Sequence, residues 1–168
     1  MPNTRTLLAT MLLTCAAFAI HSAEVNVKPG DQFTPITLED QHGNAITIDD
    51  RTRLVLFTSD MDGGKVVRKV LDDRKNAAEL LAAGHAKYIS DISEMPSMIR
   101  RMMALPAMRK RPYLIMLDSE GSTTANLPRQ PNAVTLISLD TLKVTGVEYT
   151  TNPDRLSEVL GISEHAEQ

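Results

Sequence analysis

Residues 54–57, Leu-Val-Leu-Phe, form a run with no polar position, and a segment of helical composition comes soon after. A strand that is apolar on every residue offers no face to water, so it belongs inside a sheet covered on both sides. The helical segment, residues 64–83, carries Val66, Val67, Val70, Leu71, Leu80 and Leu81 at its apolar positions. The order then repeats. Residues 86–92 read as a second strand, and Met95, Met98, Ile99, Met102 and Met103 recur at the spacing of an amphipathic helix, which Pro106 is expected to end. Residues 113–117 make a third strand. Two β-rich runs, 134–139 and 143–149, joined through Asp140-Thr141-Leu142, form a hairpin. Asn152-Pro153-Asp154 opens a last helix that Gly161 stops. Upstream, Gly43-Asn44 turns the chain into a short strand at 45–48. The expectation is a single α/β domain over residues 24–161, then a polar tail at 162–168.

The N-terminus reads as a secretory leader, residues 1–23. Arg5 supplies a positive start, and an apolar run from Leu7 to Ile20 is too short to cross a hydrocarbon core of about 30 Å. Small residues place cleavage after Ala19 or after Ala23. The expected location is periplasmic or secreted. Thr14 makes Leu12-Leu13-Thr14-Cys15 a poor lipidation signal, and Cys15 is the only cysteine. The processed chain is therefore expected to have no thiol and no disulfide. A net charge of −3, with neither half strongly basic, argues against nucleic acid as a partner. No membrane span and no cofactor are expected.

The element order, βαβα then ββα, resembles the thioredoxin-like superfamily. Local sequences resemble its larger variant, found in peroxiredoxins and periplasmic thiol–disulfide interchange proteins. Gly30-Asp31-Gln32-Phe33-Thr34-Pro35 and Leu38-Glu39-Asp40-Gln41-His42-Gly43 resemble the turn and hairpin that open those domains. Arg111-Pro112-Tyr113-Leu114-Ile115-Met116-Leu117-Asp118 with Gly121 resembles their Pro, strand, Asp, Gly segment. The resemblance implies a three-layer sandwich around a central mixed sheet, with an N-terminal strand or hairpin added to a βαβαββα core. It also locates what is missing. Those families carry reactive cysteine where the first core strand meets its helix, because a helix N-terminus stabilises thiolate. Here that junction is Ser59-Asp60-Met61-Asp62-Gly63-Gly64-Lys65, and Met61 and Gly64 stand where a cysteine pair would be. The proline that normally faces the pair is replaced by Val134, before Thr135. The implied protein is redox-inactive and acts as a binding or interaction module, with Asp60, Met61, Asp62, Gly63, Gly64 and Lys65 as its candidate ligand site.

The same junction supports other readings. Four apolar residues and then Asp60-x-Asp62-Gly63 resemble the first motif of haloacid-dehalogenase-type phosphatases, in which the first carboxylate attacks phosphorus and both help seat Mg²⁺. That resemblance extends to Ser90, Lys110 and Asp118 (or Glu120) as further catalytic groups, but Gly64 departs from its usual Thr and no room is left for its flap. Alternatively, Gly63-Gly64-Lys65 cradles a nucleotide or flavin phosphate with backbone amides. The plainest reading is that Asp60 or Asp62 caps the helix, in which case Asn at position 60 serves almost as well as Asp.

Two surface features complete the reading. Met95, Met98 and Met102 are a soft thioether set suited to Cu(I), although their helical spacing favours a core stripe, in which Met98→Ser would be costly. Arg100, Arg101, Arg109, Lys110 and Arg111 form a local basic cluster, a solvated face or a dock for an acidic partner.

Overall fold

A computed structural model describes residues 26–162. The leader with Cys15 and both cleavage positions, and residues 163–168 of the tail, lie outside the described residues.

The chain forms one seven-stranded mixed sheet in the order β2-β1-β5-β4-β3-β6-β7. Strands β1 (Thr37–Asp40) and β2 (Ala45–Thr47) are an antiparallel hairpin at one edge. Its turn is held by Asp40, whose Oδ1 accepts from the amides of His42 (2.7 Å) and Asn44 (2.9 Å). Gly43, at φ +89°, takes the left-handed position that this turn needs. Strands β3 (Leu54–Thr58), β4 (Ala86–Asp91) and β5 (Met116–Asp118) run parallel, in register Leu54 to Ala86 and Ile89 to Met116. β6 (Val134–Asp140) lies antiparallel to β3 on its other side, and β7 (Lys143–Thr150) closes that edge. Thr141 and Leu142 join the last two strands, both at positive φ, in the two-residue connection that suits strand twist.

Every residue of β3 is buried, as its unbroken apolar run requires. Leu54 and Leu56 face a cluster with Val66, Val67, Val70 and Leu71 of α1 (Met61–Leu71), Leu81 of α2 (Ala77–Ala83) and Leu156 of α5 (Pro153–Val159). Val55 and Phe57 face a second cluster with Phe33, Ile36, Ile48, Leu127 and Ile137, which contains no helical residue. The asymmetry comes from topology. The β3–α1/α2–β4 and β4–β5 crossovers step in the same direction across the sheet, and right-handed connections then place their helices on one face. The third layer is thus built from the lead-in and the loop before β6, not from helix.

Three local expectations are corrected. The helix expected over 64–83 is two helices, starting three residues earlier and broken at 72–76. Arg74 Nε donates to the Val70 carbonyl at the end of α1, and Asp72 turns to accept from the Tyr113 hydroxyl and pair with Arg111. Pro106 does not end the next helix. The segment runs as α3 (Ser97–Ile99), a π-helical turn (Arg100–Ala104) and α4 (Leu105–Met108). Leu105 donates to the Arg100 carbonyl, five residues back, which widens the helix where Pro106 has no amide to give. Finally, residues 113–115 are not strand. Gln41 supplies their pairing from its side chain: Nε2 donates to the Tyr113 carbonyl at 2.7 Å, and Oε1 accepts from the Ile115 amide at 2.8 Å.

Candidate functional site

The carboxyl ends of β3 and β4 open onto a cleft of about 470 Å³, with the start of α1 on one side and the segment after β4 on the other. Asp60 builds the first wall. Its backbone is extended (φ −148°), so its side chain turns back over the helix it precedes, as an N-cap must. Oδ1 accepts from the Gly63 amide at 2.8 Å, and Oδ2 accepts from the Asn132 amide at 2.7 Å. One carboxylate therefore both caps α1 and ties it to the loop that leads into β6. Gly63 lies inside this clamp, and a Cβ there would meet the Ala133 carbonyl oxygen at 2.4 Å. Gly64 is less tightly enclosed. A Cβ there would lie 3.1 Å from Arg68 Nη1 and 4.0 Å from the Tyr88 hydroxyl.

The floor is polar and connected. Tyr88 and Thr58 share a hydrogen bond of 3.1 Å, and the Thr58 hydroxyl donates on to Ser90 at 3.4 Å. Burial pushes the Tyr88 hydroxyl pKa up, against the pull of these bonds and of the Arg111 and Arg68 charges. Beneath the rim, Arg129 pairs with Asp91 at 3.0 Å, donates to the Thr124 carbonyl and lies over the Phe57 ring. The second wall is apolar: Ile92, Met95, Ile99, Ala104 and Met108 line it.

The candidate residues separate on this frame. Asp60, Met61 and Gly64 line the cleft; Asp62, Gly63 and Lys65 do not. Met61 is the first residue of α1 and is exposed, while Gly64 is buried. The phosphate cradle is not formed at the glycines, because Gly63 donates to the Asp60 side chain and Gly64 to the Asp60 carbonyl. Of the five phosphatase candidates, only Asp60 and Ser90 reach the cleft. Asp62 points outward to Lys65, and Lys110 is exposed beyond α4. Asp118 is buried under its own loop, accepting from the amides of Glu120, Gly121 and Thr124. α1 begins directly after Asp60, so no flap intervenes.

The methionine stripe is not core. Met98 and Met102 are 71% and 70% exposed, and Met103 is likewise outside; the segment meets the core through Ala104, Leu105 and Met108. No cluster of His, Cys, Asp or Glu able to hold a metal occurs among the described residues. The basic cluster is dispersed. Arg100 and Arg109 donate to the carbonyls of Ser119 and Gln41, Arg111 turns toward Asp72, and Arg101 and Lys110 stay exposed. Sequence reasoning missed Arg68 and Tyr88, since a cation on an exposed-looking helix turn and a strand tyrosine carry no motif.

No family model matches the sequence, and no curated protein matches it significantly. Solved structures do match in shape. Peroxidoxin BcpB of Mycobacterium tuberculosis is 18% identical, covering 85% of this chain and all of that one, with a TM-score of 0.52. A Bacteroides thetaiotaomicron protein described as a protein disulfide isomerase is 13% identical over 80% of this chain and 87% of its own, with a TM-score of 0.53. A conserved Bacteroides fragilis protein of unknown function is 12% identical over 80% and 99%, with a TM-score of 0.51. These likenesses show a thioredoxin-like fold. More narrowly, this is a cysteine-poor chain with that fold, with Met61 and Gly64 at the junction and its single cysteine at position 15. Val134 joins Thr135 through a trans peptide, and no described peptide bond is cis.

Along the described residues, no helix is long and apolar enough to cross a membrane.

Proposed function

We propose that this chain is an exported, redox-inactive thioredoxin-like protein that binds a small molecule in the cleft where its relatives in fold keep their thiols. The observation that carries the reading is the replacement at the junction. Met61 and Gly64 abolish thiol chemistry there, yet the cleft of about 470 Å³ remains, within the range of small-molecule sites. Its make-up supports binding: an apolar wall, a short hydroxyl network for a floor and two arginines. The leader motif of Arg5 and the apolar run after it supports export.

The exported protein should carry an N-terminus at Ile20 or Glu24 by intact mass, reduce no insulin disulfide and consume no peroxide. It should bind the neutral apolar dye N-phenylnaphthylamine at one site, and Ala104→Trp should weaken that binding. A retained Met1, thiol-like turnover or absence of dye binding would each overturn the corresponding part of the reading.

A further inference from the structure

We infer that the ligand of this cleft is a free monocarboxylate with an apolar body, its carboxylate held by Arg68 over the bare Cα of Gly64. The inference rests on the binding reading above and names the class of molecule bound.

Arg68 is half-buried, lines the cleft, and makes no ion pair or side-chain hydrogen bond among the described residues. A guanidinium only partly in water and without a protein partner presents a fork of donors matched to a carboxylate. Its guanidinium lies close over Gly64, where a Cβ would stand 3.1 Å from Nη1. The Tyr88 hydroxyl is beside the same point, 3.1 Å from the Thr58 hydroxyl and also within reach of Ser90. Arg111 also faces the cleft and shares its one carboxylate, Asp72, with the Tyr113 hydroxyl.

The acidic groups nearby decide the charge of the ligand. Asp60 has both oxygens bound to backbone amides, and Asp91 is paired with Arg129. Glu94 stands at the rim, exposed. One uncommitted cation among several carboxylates suits a single negative charge and disfavours a phosphate dianion. Beyond Arg68, Met95 and Ile99 offer only hydrocarbon and thioether, so the body of the ligand is apolar.

The probes are decanoate and 1-decanol, which share a chain and differ in charge, each used to displace N-phenylnaphthylamine from the processed protein. Decanoate should compete at a concentration about tenfold or more below decanol. Arg68→Gln should abolish that advantage while leaving decanol unchanged. Gly64→Ala, which crowds the guanidinium without removing it, should reduce the advantage in part and serves if Arg68→Gln does not fold. Decanol competing as well as decanoate, or a decanoate advantage that survives both substitutions, would overturn the carboxylate assignment and leave the cleft as a neutral binding site. Failure of dye and both probes to bind would overturn the cleft reading as well.

Discussion

The two walls of the cleft are held in place by opposite means. On the α1 side, a single carboxylate ties Gly63 to Asn132 while the Ala133 carbonyl fills the space a Cβ would take, so nothing there can shift without breaking a bond. On the far side, the segment from α3 to α4 is interrupted by a π-helical turn and touches the core through three residues, with Met98, Met102 and Met103 facing solvent. Polar bonds with directional geometry give a wall one position; unbranched thioether side chains on a loosely anchored helix can be arranged in many ways. Under the binding proposal, a cleft built this way would fix the polar end of a ligand and tolerate variation along its apolar length.

That contrast can be broken by substitution. The largest effect is expected at Gly63→Ala. The added Cβ would meet a backbone oxygen that cannot rotate away, and urea melts should show a loss of about 2–3 kcal/mol despite the better helix propensity. A stable variant would mean that the α1 wall yields more than its contacts imply. Asp60→Asn comes next, at about 1 kcal/mol. Asn keeps one acceptor oxygen where the structure uses two, so one of the Gly63 and Asn132 amides is left facing an NH₂ donor. A melting curve that overlays the parent would show that only the cap matters. Met98→Ser should change stability by no more than about 0.5 kcal/mol, because the side chain is already in water. A loss several times larger would place the methionine stripe in the core after all.

These expectations depart from what the residues alone suggest, and the reasons are local. The helix cap at Asp60 is legible, since an Asp ahead of a helical segment has a stereotyped partner within its own turn. Its second bond, to Asn132, spans the fold and leaves no mark in nearby sequence. Residues 54–57 announce a buried strand because no polar atom interrupts them, whereas 113–115 look equally strand-like and are paired by a glutamine side chain. The methionine stripe misleads because its period assumes one straight helix from Met95. The real segment starts after Pro96 and contains a widened turn, which rotates α4 relative to α3. Lys143 to Thr150 and its partner strand are legible even though Thr141 and Leu142 are unusual at positive φ, because two β-rich runs at hairpin distance outweigh the turn between them.

The glutamine that completes the sheet has a consequence of its own. A primary amide carries a donor and an acceptor, as a peptide group does, and Gln41 uses both on main-chain atoms of residues 113 and 115. Gln41→Glu would leave the shape of the side chain nearly intact while turning its donor into an oxygen aimed at the Tyr113 carbonyl. The join between the N-terminal hairpin and the parallel strands thus hangs on the chemical identity of one buried side-chain atom. Loss of hydrogen-exchange protection at the Ile115 amide in that variant would be the sign that the join had opened.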